Sequence, residues 1–305
     1  MINRIQSLLE IDYPVVQAPM TYIARAELAA AVSEAGGLGM IETLTPEGRS
    51  DLKRVREFTD KPVAANLMIR GWKSDPSIVD ILLDAGIQHV FCSAGDPGLF
   101  TQRLHDAGMT VVHVVGSLKA ARKAEDAGVD ALVVEGVEGG GFKHAMGTST
   151  LVLLPLIAER IDLPIIAAGG ICDGRSAAAA VVLGAEGVQM GTRMLASEEA
   201  MVHRHFKDAI VDAGDQGTVM ISMPGNPTMR VLRVGLAARI EAGEAESTPL
   251  GRVTDLYFRG DFEAGVANTG QVSARVNEVL PVAEIVRNTW SGMIHAIDAA
   301  RTRCE

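Results

Sequence analysis

Residues 164–192 read Pro-Ile-Ile-Ala-Ala-Gly-Gly-Ile-Cys-Asp-Gly-Arg-Ser-Ala-Ala-Ala-Ala-Val-Val-Leu-Gly-Ala-Glu-Gly-Val-Gln-Met-Gly-Thr. Two short apolar runs, Pro164 to Gly169 and Gly187 to Gly191, flank an Ala-rich stretch, Arg175 to Leu183, that closes on Gly184. A continuous apolar run suggests a strand buried on both faces, as in a parallel sheet covered by crossover helices. An amphipathic Ala-rich segment that stops at glycine reads as one of those helices. The unit is therefore strand, helix, strand, with small residues after each strand.

Working outward, the same unit recurs every 20 to 30 residues. Earlier runs are Pro14 to Met20, Leu38 to Ile41, Val63 to Leu67, His89 to Ser93, Thr110 to Val115 and Ala131 to Glu135. Helical stretches stand between them at Ala26 to Glu34, Pro76 to Ala85, Pro97 to Ala107, Leu118 to Ala127 and Ser149 to Arg160, several closing on glycine at Gly36, Gly86, Gly108 and Gly128. Eight such units in about 200 residues predict a TIM (β/α)8 barrel, with an open doubly wound α/β sheet as the alternative. The pattern breaks after Met194. Residues 1–211 are expected to form the barrel, 212–270 an inserted lobe or lid containing the Met223 to Pro227 turn cluster, and 271–305 a C-terminal segment whose helix, about Val282 to Arg301, packs back on the barrel.

Composition sets the class. The 305 residues carry 28 Lys+Arg against 38 Asp+Glu, a formal charge of −10. An acidic chain without a basic stripe, and with 4% aromatics, is a poor candidate for nucleic acid or an anionic membrane. Cys92, Cys172 and Cys304 are odd in number and lack CxxC or Cys/His spacing, which argues against a disulfide framework and a metal site. The opening MINRIQSLLEIDYP has no apolar signal core, and no apolar run approaches the ~18 residues of a membrane span, so a cytoplasmic protein is expected.

In a barrel of this class chemistry collects where the strands end. The residues there are Gln17 to Met20, Asn66, Ser93 to Gly95, His113, Glu135 with Gly139 to Gly141, Ala168 to Gly170 and Gln189 to Thr192. Gly169–Gly170 and Gly191–Thr192 offer backbone N–H groups beside helix amino ends, a way of holding phosphate. Neither loop contains GxxxxGK[ST] and no GxGxxG opens the chain, so a P-loop and an ordinary dinucleotide fingerprint are disfavoured.

Taken in order, Val16-Gln-Ala-Pro-Met20, Ala35-Gly-Gly-Leu-Gly39, Glu135-Gly-Val-Glu-Gly-Gly-Gly141, Ile166-Ala-Ala-Gly-Gly-Ile171 and Val188-Gln-Met-Gly-Thr-Arg193 resemble the nitronate monooxygenase (2-nitropropane dioxygenase) family and its relatives, the flavin-type enoyl-acyl-carrier-protein reductases. A weaker echo stands at Gly270-Gln271. The resemblance implies a barrel binding one FMN without a covalent bond. It places Met20 against the isoalloxazine, Asn66 and Glu135 at polar edges of the flavin or ribityl chain, Gly140 where backbone approaches closely, and Gly170 with Gln189, Met190, Gly191 and Thr192 around the phosphate. Glu135 stands where many members have Gln.

One position departs from the family. Members usually follow the Glu-x-Gly-Gly stretch with a His that removes a substrate proton or lies at the substrate, and here that residue is Phe142. His144 and Lys143 are the replacement candidates as base or anion-binding cation, and His113 at the end of its strand is another. Arg193 is either a phosphate partner or part of a structural pair; His203 and His205 read as surface residues or phosphate neighbours. A missing base disfavours neutral nitroalkanes, because proton abstraction by a placed base is worth roughly 10²–10⁴-fold. The resemblance therefore leaves an FMN-dependent oxidoreductase that oxidises alkyl nitronates with O2, an NAD(P)H-dependent FMN reductase of enoyl thioesters or quinones, or a flavin-binding protein without turnover. A small-molecule substrate and a homo-oligomer are compatible with all three.

Overall fold

The computed structural model describes residues 3–143, 147–222, 228–246 and 252–305. His144 and the 223–227 turn cluster lie outside the described residues. Eleven strands are present among those described: β1 Val15–Gln17, β2 Gly39–Glu42, β3 Val63–Met68, β4 His89–Ser93, β5 Thr110–Val115, β6 Ala131–Glu135, β7 Gly141–Phe142, β8 Ile165–Ala168, β9 Gly187–Met190, β10 Thr218–Ile221 and β11 Met229–Leu232. Eight of them form one all-parallel sheet in the order β1-β9-β8-β6-β5-β4-β3-β2.

That order follows the chain around a ring. A doubly wound sheet would reverse direction at a switch point; here β1 instead meets β2 through the parallel bridge Val16↔Leu38, with Gln17 N–H donating to Leu38 O at 3.0 Å and Leu38 N–H to Val15 O at 3.0 Å. The Gln17 side-chain amide adds a bond to Met40 O at 2.9 Å, so this buried glutamine closes the barrel.

Two apolar layers follow from strand parity. Val16, Met40, Ala64, Phe91, Val112, Val133 and Ile166 fill the interior, and Ile5 and Leu9 of the helix Arg4–Leu9 join them. The alternate residues, such as Ala65, Val90, Val111, Leu132 and Val188, face the helix layer. Both faces being apolar is why the runs are continuous.

Local chemistry sets the helix ends. Asp173 caps Gly174–Val182 by accepting from Ser176 N at 2.8 Å, and Ser176 Oγ accepts in return from Asp173 N at 3.1 Å. The charge-rich helix Pro46–Arg54 lacks the Ala-rich signature of its neighbours and is held instead by proline in its first turn and a Thr45 cap on Gly48 N. The final helix, Val282–Cys304, lies against Gly174–Val182 so closely that a Cβ on Gly174 would sit 2.3 Å from the Gly292 backbone.

Beyond the barrel, β10, β11 and β7 make a three-stranded antiparallel sheet. Val219, Ile221, Met229, Val231, Ala237 and Val266 form its small core. Its third strand, β7, comes from the loop after β6. Strand β11 is thereby hydrogen-bonded to the end of the glycine-rich loop after β6. No helix among the described residues is long and apolar enough to cross a membrane.

Candidate active site

Parity selects which strand-end residues reach the mouth. Asn66 alternates with the outward Ala65 and Leu67, Glu135 with the outward Leu132 and Val134, and Gln189 with the outward Val188 and Met190. Register then sets their level: Glu135 pairs with Ala168 and Ala168 with Gln189, while Asn66 pairs with Glu42 and Phe91. The Asn66 amide donates to Phe91 O at 2.9 Å and Ser93 Oγ at 3.3 Å, which orients it across β4. Gln189 is buried and its Oε1 has no hydrogen-bond donor among the described residues. A buried acceptor left open costs roughly 1–3 kcal/mol, so the site calls for a donor, N–H or O–H, from outside the described residues.

The glycine loops meet at the same end. Gly169 and Gly170 have φ of +81° and +83°, and a Cβ on Gly169 would lie 2.8 Å from Gly136 O. Among the described residues no carbonyl accepts from either N–H. Gly191 precedes the short helix Thr192–Leu195, and the buried Thr192 hydroxyl accepts from Gly270 N at 2.9 Å. Free N–H groups from two neighbouring loops suit a phosphate, and with the open Gln189 acceptor they suit a ligand having both a phosphate and a hydrogen-bond donor.

Behind the loop after β6 lies a dense polar set. Lys143 is buried and its Nζ donates to Glu135 Oε1 at 2.5 Å. Glu138 accepts from Thr150 N and Oγ1, both at 3.0 Å to Oε2, and its backbone carbonyl accepts from Gln271 N at 2.9 Å. Arg230 of β11, also buried, donates through Nε to Val137 O at 3.0 Å. Gly140 is pressed against Thr269 and Gly270, where a Cβ would come within 2.8 Å of Thr269 backbone. Gly140 thus lies in close contact with the chain's own 269–270 segment.

The other residues expected near the site occupy varied surroundings. His113 alternates with Val112 and Val114, which line the interior, and so faces the helix layer near Asp96 and Lys123 rather than the mouth. Burial pushes it down to about 4, and its Nδ1 has no partner among the described residues. Met190 also faces outward, its sulfur 3.9 Å from Thr289 Oγ1, so only its backbone borders the site. Met20 is half-buried in the loop after β1, where its carbonyl accepts from Ile23 N and Ala24 N at 2.9 and 2.8 Å. Arg193 is structural: its guanidinium donates to the carbonyls of Ala196 and Glu278. His203 caps its own helix by accepting from His205 N at 3.2 Å. Phe142 is 41% exposed on β7 opposite Met229.

Three features escaped sequence reasoning. Tyr22 and Ala94 adopt left-handed φ of 70° and 53° in the loops after β1 and β4, a conformation disfavoured for side chains and often kept at functional loops. Arg230 carried no signal, being about ninety residues from the carbonyl it holds. Thr269 had only the faint hint of the neighbouring Gly270-Gln271 pair.

Comparison with known proteins points one way. The family model for nitronate monooxygenase matches residues 3–78 and 71–291. The chain is 36% identical over 243 residues to a (3aS,4S,5R,7aS)-5-hydroxy-7a-methyl-1-oxo-octahydro-1H-indene-4-carboxyl-CoA dehydrogenase of Mycobacterium tuberculosis, covering 77% of this chain and 67% of that protein. It is 31% identical to a nitronate monooxygenase of Pseudomonas aeruginosa, over 94% of this chain and 98% of that one. Among solved structures, FabK from Thermotoga maritima superposes with a TM-score of 0.90 at 34% identity, over 99% of each chain. A nitroalkane oxidase from Streptomyces ansochromogenes gives 0.81 at 26% identity, over 97% of this chain and 99% of that one.

Proposed function

The chain belongs to the nitronate monooxygenase family, a family of oxidoreductases, and on that premise we propose that it holds FMN at the barrel mouth and oxidises alkyl nitronates with O2. The observation that supports this reading is that, among the described residues, the position where the resemblance implies a histidine offers no free base: Phe142 is exposed, and the next residue, Lys143, is buried and paired with Glu135. A nitronate has already lost its α-proton. It needs no imidazole.

When bound, FMN supplies the electron acceptor and the reactivity with oxygen, while the protein contributes binding, orientation and electrostatics. The N–H groups of Gly169, Gly170, Gly191 and Thr192 would hold the phosphate. Gln189, expected around the phosphate, would accept from a ligand N–H or O–H through its open Oε1, with Asn66 and Glu135 at polar edges of the flavin and Met20 against the ring. Phe142 would make the substrate side of the pocket apolar, excluding water from the reacting carbon.

A second reading rests on the 36% identity to a carboxyl-CoA dehydrogenase and the match to FabK along the whole chain. It is an NAD(P)H-dependent reductase acting through FMN on an enoyl thioester or quinone. The purified protein is expected to be yellow and to release FMN on denaturation. Mixed with an alkyl nitronate in air it should consume O2, and mixed anaerobically with NADH or NADPH its colour should persist. Rapid bleaching by either nicotinamide would replace the nitronate reading with the reductase one, and turnover with neither would leave a flavin-binding protein.

A further inference from the structure

An ion pair brackets the loop from β6 to β7, between Glu135 at the end of β6 and Lys143 just after β7, and nitronate oxidation does not by itself require it. The Lys143 side chain is 3% exposed, whereas that of Glu135, at 2.5 Å, is 31% exposed. The cation lies behind and the carboxylate in front, at the mouth. Two further features build this arrangement. The β7–β11 pairing and the bond from Lys143 N to Thr228 O at 2.9 Å set the backbone from which the lysine enters. Gly139 leaves the space, since a Cβ there would lie 2.4 Å from Glu135 Oε1 and 2.8 Å from Lys143 Nζ. A buried ammonium is costly unless paired, so the lysine is tied to the carboxylate it faces.

We propose that Lys143 is a positioning residue that acts through Glu135, holding the carboxylate at the mouth while cancelling its charge. This rests on the FMN reading above. The physical reason is electrostatic. An isolated carboxylate beside a flavin opposes the arrival of electrons, and at an effective dielectric near ~20 a unit charge several ångströms away changes such an equilibrium by an order of magnitude or more. With Lys143 behind it, Glu135 keeps its acceptor oxygens without imposing that penalty, and an anionic substrate meets a pair of no net charge.

The test uses the FMN-loaded protein and reads the ratio of reduced to oxidised flavin at equilibrium with a reference dye. Lys143→Met leaves the carboxylate alone and should lower that ratio roughly tenfold or more. Glu135→Gln leaves the cation alone and should raise it. The double variant and Lys143→Arg should both return to within about twofold of wild type. Shifts of the same sign in both single variants, or no shift, would overturn the proposal, because a merely structural role does not reverse sign with charge. If Lys143→Met does not fold, Glu135→Gln against the double variant gives the same sign, and equality there overturns the proposal. Wild-type protein that binds no FMN would instead remove the FMN reading, and the inference with it.

Discussion

The hydroxyl oxygen of Thr192, at the start of the helix after β9, accepts a hydrogen bond from the buried N–H of Gly270 at 2.9 Å, joining positions 78 residues apart. Gln271 N–H, the next along, donates to Glu138 O at 2.9 Å, so the returning segment is tied to both the β9 loop and the β6 loop. Thr192→Val removes the acceptor and keeps the shape. A stranded buried N–H should cost about 1–3 kcal/mol in denaturant unfolding and loosen FMN, whereas Thr192→Ser should stay close to wild type. Equal stability of the Val and Ser variants would show that the bond does not matter.

Gly169 and Gly170 make a matched pair for backbone strain. Both have left-handed φ, but a Cβ on Gly169 meets Gly136 O at 2.8 Å, while one on Gly170 finds nothing closer than Glu138 Cβ at 3.6 Å. Gly170→Ala should cost only the dihedral penalty, about 1–2 kcal/mol. Gly169→Ala adds a collision with backbone and should lose several degrees more in thermal unfolding. The reverse ranking would mean that steric fit is not what selects glycine at Gly169.

Gln189 should show stability and binding pulling apart. Because its buried Oε1 has no donor among the described residues, Gln189→Leu should stabilise the FMN-free protein by roughly 1–2 kcal/mol. The same change should weaken FMN binding at least tenfold, as read by flavin fluorescence. A destabilised FMN-free variant would mean that the amide is satisfied within the protein itself.

His113 gives a pH signature. Its folded value is pushed down to about 4 by burial, from an unfolded value of 6.5. A depressed histidine takes up its proton more readily when unfolded, so its contribution is constant above pH 6.5 and stability falls as pH drops from 6.5 to about 4. The loss attributable to it is of the order of 3 kcal/mol. His89, also pushed down by burial, adds in the same direction. Denaturant unfolding of His113→Leu at pH 7 and pH 4.5 should show a flatter dependence than wild type; an unchanged slope would place the pH sensitivity elsewhere.

The barrel was legible because its signal is redundant. Each of the eight runs recovers a strand, three of them, His89–Ser93, Thr110–Val115 and Ala131–Glu135, with identical bounds. The helix Ala26–Glu34 does so as well. Pro46–Arg54 was missed because its folding signal is a cap and a proline rather than an apolar stripe. Gly169–Gly170 and Gly191–Thr192 were legible as neighbouring loops for the same reason, since they end consecutive runs that pair as β8 and β9.

Side-chain direction was not legible, and the reason is the same redundancy. Where both faces of a strand are buried, alternation disappears from the sequence, so nothing in Thr110 to Val115 says that Val112 faces the barrel interior while His113 faces the helices. Met190 is hidden in the same way. Sequence by itself determined the number of units and their order around the ring. Tertiary structure alone decided which strand-end residues reach the mouth, that Gly140 packs on Thr269, that β11 supplies Arg230 to the β6 loop, and that Lys143 stands behind Glu135. These depend on registers set between segments tens of residues apart, where the pairing energy comes from partners that no local pattern names.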